Sequence, residues 1–167
     1  PFGVYRPATV PSDLVPQYVH VREATGWQTS QIDSVAPTGD PIDVEVPPPA
    51  DVLEGETATM ALGEFVGTRS GDKGGDANLG VYARSDAGWV WLDNELTVER
   101  LRELLPETAD LPVDRYRYPN LRSLNFVVRG LLQEGVAAST RQDAQAKAVG
   151  EWLRSRLVDA PVSVLDR

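Results

Sequence analysis

The chain has 167 residues, 41% of them hydrophobic, enough for one ordinary core and not comfortably for two. It contains no cysteine, which excludes disulfides, thiolate nucleophiles and zinc–thiolate clusters, and a single histidine, too few for an HExxH zinc site. A net charge of −9 argues against nucleic acid as a partner, and no apolar run approaches the roughly 20 residues of a membrane span. The expectation is a cytoplasmic protein without membrane contact, metal site or bound cofactor.

The chain opens at Pro1 without an initiator methionine, which predicts a piece of a longer polypeptide. Residues 1–60 hold two basic and nine acidic residues and nine of the 13 prolines. Prolines at that density forbid a long helix. The reading for residues 1–59 is therefore an extended, acidic, proline-rich arm or linker, with one short strand at "YVHVRE" and an alternating stretch at Ile42, Val44 and Val46. His20 lies in that strand with no second histidine or carboxylate at ligand spacing, so a structural or surface role is expected for it.

Residues 60–167 form the folded domain. Two β-favouring runs, "ALGEFVGTRS" and "NLGVYARSD", flank a glycine-rich stretch. Trp89, Leu92 and Leu96 fall at helical spacing and Val98, Leu101 and Leu105 continue it. Thr97 is placed to cap a fresh turn and Pro106 to end it. "PVDRYRY" alternates and predicts a strand, broken by Pro119 and Asn120. The spacing of Leu121, Leu124, Val128 and Leu131 predicts a helix with Asn120 as its cap, and a strand through "LNFVV" is the alternative. "GVAASTR" predicts a short strand. Asp143 is placed to cap a last helix with Val149, Trp152, Leu153 and Leu157 on its apolar side. The order β-β-α-β-α-β-α predicts a two-layer α+β sandwich.

The stretch "TRSGDKGGDANLG" carries most of the chemistry-bearing residues. It is no P-loop, because Lys73 is followed by glycines and then a strand rather than by a helix. Nor does it have the acidic spacing of a calcium loop. Two readings stand. Gly71, Gly74 and Gly75 could converge backbone N–H groups into an anion nest, with Arg69 and Lys73 as cationic donors and Asp72 or Asp76 as general acid or base. Otherwise the stretch is a charged hairpin turn. Two further clusters could join it: Asn120 with Asn125, and Ser139, Arg141, Asp143 and Lys147.

The ordered trio "RSGDKGGDANLGVYAR", "RYRYPNLRSLNFVVRGLL" and "ASTRQDAQAKAVGEWL" resembles the C-terminal domain of the AtuA-type acyclic terpene utilisation family over about residues 61–157. The opening "PFGVYRPATVPSDLV" resembles the tail of the large domain that precedes it in full-length members. The resemblance implies a ferredoxin-like fold of about four strands with helices on one face. It also implies a part in bacterial catabolism of acyclic terpenoids or branched acids through coenzyme A thioesters. The family motif falls on Arg69, Gly71, Asp72, Lys73 and Asn78, on Asn120 and Asn125, and on Arg141, Asp143 and Lys147. The chain departs from it in the extra glycine step of "DKGGD" and at Ala146, where glycine is common.

Two functions are compatible with this. One is a domain that grips or transforms a CoA-linked branched acyl group through Arg69–Asn78. The other, favoured for this piece alone, is an accessory module that joins the remainder of the longer polypeptide, or its large domain, into a homo-oligomer. An exposed face of a four-stranded sheet would favour dimerisation through that face.

Overall fold

The computed structural model describes residues 8–33, 39–40 and 44–166. Ile42 and the first seven residues lie outside them. The described residues divide into two compact units, one up to Val44 and one from Glu45 onward.

Within the first unit, strands β1 (Gln17–Glu23) and β2 (Gly26–Ile32) form an antiparallel hairpin. The sequence had indicated only the first of these strands. Ala24 and Thr25 make the turn, and Gly26 takes a φ of 135°, where glycine is free of the Cβ penalty. Every residue of both strands is exposed. His20 Nδ1 lies 2.8 Å from Thr29 Oγ1, its register partner across the hairpin.

The second unit is built on a four-stranded antiparallel sheet. Its strands are β4 (Val66–Lys73), β5 (Asp76–Ala83), β6 (Val113–Tyr118) and β7 (Ser123–Val128), in the order β4-β5-β7-β6. β5 and β6 both run antiparallel to β7 and so parallel to each other. Helices α1 (Asp86–Glu95) and α2 (Val98–Leu104) connect them, giving a split β-α-β unit. β4 fills the edge beside β5 from the N-terminal side. β8 (Leu157–Pro161), which follows α3 (Val149–Arg154), pairs instead with β3 (Thr57–Ala61) in a separate two-stranded sheet. The architecture is α+β and ferredoxin-like.

One sheet face builds the core. Ala77, Leu79, Val81 and Ala83 of β5 alternate inward with Leu124, Phe126 and Val128 of β7, all buried. α1 packs on β5 and β7, α2 on β6, and α3 on β4 and β5. Phe65 meets Trp91 of α1 edge to face, with ring centroids 5.1 Å apart. Ser85 caps α1 by accepting from Gly88 N–H at 3.0 Å, and Thr97 caps α2 by accepting from Arg100 N–H at 3.1 Å. Among the described residues no helix is long and apolar enough to cross a membrane.

Three expectations are corrected. Residues 123–128 are strand β7 rather than a helix, so Asn120 caps nothing and lies in a 3-10 turn, Pro119–Leu121. The decisive pattern is the alternation of Leu124, Phe126 and Val128, stabilised by ladders on both sides. "GVAASTR" forms turns, with Gly135 at φ 98°. Asp143 is not the N-cap residue of α3, which is Ala148.

Candidate functional site

The glycine-rich stretch is a β-hairpin, and only Gly74 and Gly75 stand outside its strands. Gly71 sits within β4 opposite Asn78. The two-residue turn relies on Gly74 at φ 65° and is latched from below. Gly75 C=O accepts from Leu132 N–H at 2.9 Å. Asp76 accepts from Gly130 N–H at 2.8 Å and from Arg129 at 3.3 Å. Arg129 also bonds Asp114, which pushes its guanidinium pKa up. Asp76 therefore holds the hairpin tip onto the turns after β7.

The asparagines form a second group. Asn78 and Asn125 exchange side-chain amide bonds of 2.9 and 3.0 Å between β5 and β7, on the sheet face away from the helices. Asn120 is exposed and lies past the end of β6 opposite the Gly74–Gly75 turn, separated from that turn by the length of the sheet, about 20 Å.

The third cluster meets the first along the β4 edge. The Asp143 carboxylate accepts from the N–H groups of Lys147 and Ala148 at 2.8 and 2.9 Å, securing the entry into α3. Ser70 Oγ donates to Lys147 C=O at 3.2 Å and accepts from Gly150 N–H at 3.0 Å. Lys147 Nζ comes within 3.8 Å of Asp72 and lies over Gly71, where a Cβ would sit 2.8 Å from it. Arg69, Ser70, Lys147 and Glu151 line a shallow pocket of about 260 Å³ here. Lys73 donates to the backbone oxygen of Asp72 at 3.1 Å. Arg141 turns the other way to pair with Glu107 at 2.9 Å, beside a pocket that includes Asp143 and Trp152.

The third cluster thus meets the first, Asn125 joins it through Asn78, and Asn120 stays apart. The family described as AtuA ferredoxin-like domain matches residues 60–159. The chain belongs to it. No curated protein and no solved structure matches the chain. In this AtuA-type domain Ala146 is fully buried at φ 53°, which accounts for a position where glycine suits. Relieving the left-handed strain is worth about 1 kcal/mol. Losing the buried methyl and adding glycine entropy costs about as much. Ala146→Gly is therefore expected to leave stability within about 1 kcal/mol of the parent in urea denaturation.

A further polar group escaped the sequence reading. Asp93 of α1 is buried and accepts from Arg117 Nε at 2.6 Å, from Arg117 Nη2 and from Arg115 at 3.3 Å. Burial pulls the Arg115 guanidinium pKa down while Asp93 opposes it. The bonds to Asp93 push that of Arg117 up. The signal was present in "RYRY", whose two arginines share one strand face and require an anion there.

Proposed function

We propose that this chain is an accessory, assembly-directing domain of an AtuA-type protein in the cytoplasm of a bacterium, serving catabolism of acyclic terpenoid or branched acyl-CoA compounds. The observation that supports this is the use of the motif residues. Asp76 and Asp143 hold backbone amides. Asn78 and Asn125 bond each other, and Arg141 pairs with Glu107. Groups engaged in this way brace the fold, and the chemistry falls to the preceding large domain.

The reading makes a direct prediction. Asp72→Ala and Lys73→Ala, placed in the full-length protein, are expected to leave turnover of a branched acyl-CoA within about twofold and the oligomer intact. A general base at Asp72 would instead make the loss roughly 10²–10⁴-fold. Such a loss with correct assembly would overturn the reading in favour of the alternative, a ligand-gripping site. That alternative is supported by the two cations, Arg69 and Lys147, on one pocket.

A further inference from the structure

The face of the four-stranded sheet turned away from the helices is open to solvent within its unit, apart from Gly71, over which Lys147 lies. Its residues fall in rows across the register. One row runs Gly67–Tyr82–Ser123–Tyr118, the next Arg69–Gly80–Asn125–Tyr116, and the third Gly71–Asn78–Val127–Asp114. Tyr82, Tyr116 and Tyr118 are 49, 44 and 44% exposed. The Tyr82 ring lies flat across Gly67, where a Cβ would meet it at 2.2 Å.

We propose that this face joins a second copy of the chain about a two-fold axis parallel to the strands and between β5 and β7. The inference rests on the accessory reading above and names its partner. Such an axis sets β4 of one copy over β6 of the other at equal height. Arg69 then meets Tyr116 of the second copy, and Lys73 comes near Asp114 of the second copy.

The face carries its own complement, as an isologous interface requires. Arg69 and Lys73 lie on the β4 edge, while Tyr116 and Tyr118 line the β6 edge, where Asp114 is already held by Arg129 of its own chain. Among the described residues the Arg69 side chain has no ion pair or hydrogen bond in its own chain, which leaves its guanidinium available to an aromatic face. At the centre the Asn78 and Asn125 amides already bond each other, which leaves one N–H of each for an acceptor on the second copy. Tyrosine is enriched at interfaces of this kind. A nucleic acid on the same tyrosines is disfavoured by the net charge of −9. From strand spacing and rise the face measures roughly 20 by 20 Å. That is the low end of specific interfaces, so the dimer is concentration-dependent.

Sedimentation equilibrium of the whole chain over a concentration series tests this. The mass is expected to rise towards twice the monomer. At Gly80 an added Cβ meets nothing closer than the Arg69 carbonyl oxygen at 3.6 Å, so Gly80→Glu is expected to fold, as checked by circular dichroism. It places a charge at the centre of the face and is expected to weaken the dimer at least ~10-fold. Arg69→Asp and Tyr116→Lys should each weaken it, and the Arg69→Asp/Tyr116→Lys double variant should recover it.

A chain that stays monomeric throughout, or a dimer unmoved by Gly80→Glu, overturns the proposal. If Gly80→Glu does not fold, Ser123→Cys gives a single thiol in a cysteine-free chain close to the axis. A short bismaleimide should then link two copies, and failure to do so where the parent is dimeric overturns the proposal. A dimer that ignores these changes leaves the accessory reading standing. Lost turnover in Asp72→Ala with an unchanged dimer overturns the accessory reading alone.

Discussion

Asp93→Ala is expected to lower the unfolding free energy by about 3 kcal/mol in urea denaturation, the largest loss for any single polar residue of the domain. The Asp93 side chain is 2% exposed and those of Arg115 and Arg117 are 18 and 19% exposed. Removing the carboxylate leaves two cations facing each other in a poorly hydrated space. They can reach some water, which holds the loss at the lower end of the range for broken buried pairs. Asp93→Asn keeps the shape and one acceptor and is expected to cost about 1–2 kcal/mol. A loss below about 1 kcal/mol for the alanine variant would mean that the arginines find solvent unaided.

The consequence extends beyond α1 and β6. Arg117 also donates to Pro47 C=O at 2.8 Å, and Asn94, next to Asp93, donates to Ala50 C=O at 3.0 Å. These two bonds tie down the proline-rich segment ahead of β3. Proteolytic cleavage within residues 47–52 should therefore quicken in Asp93→Ala.

What could be read from the sequence was what is decided locally. β4, β5, β6 and the helical stretch after β5 announce themselves by period and by the cap at Thr97, all within a few residues. β7 did not, because Leu121, Leu124, Val128 and Leu131 happen to fit a helix. Only its pairing with β5 and β6 settles the matter. β3 and β8 are harder still. "TATMA" and "LVDAP" are short, and their partners lie about a hundred residues apart in the chain, as Thr59 and Asp159 show. The motif residues were found, but their partners were not. A carboxylate such as Asp143 reads alike whether it will hold a ligand or two backbone amides. Asp93 in a helix reads as solvated until the arginine face of β6 is laid over it.

Gly75→Ala is expected to cost about 2–3 kcal/mol, and it bears directly on why this chain has two adjacent glycines here. An added Cβ would sit 2.2 Å from Gln133 C=O. That atom is backbone, so no side-chain rotation relieves the contact. Its segment is fixed to the hairpin by Leu132 N–H on Gly75 C=O and by Gly130 N–H on Asp76. The segment is also turned by left-handed residues, Gln133 at φ 54° and Gly135 at φ 98°. Moving it away would lengthen both latching bonds.

Gly74 provides the internal comparison. Its Cβ would meet nothing, and only its φ of 65° resists substitution, so Gly74→Ala should cost about 1 kcal/mol. Thermal or urea denaturation of the two variants separates the effects. If Gly74→Ala proves as harmful as Gly75→Ala, turn geometry alone sets the pair. If Gly75→Ala is clearly worse, the second glycine is dictated by the close approach of residues 130–135. The charged residues around it then owe their positions to that latch, with Asp76 as its polar half and Gly75 as the contact that no side chain can replace.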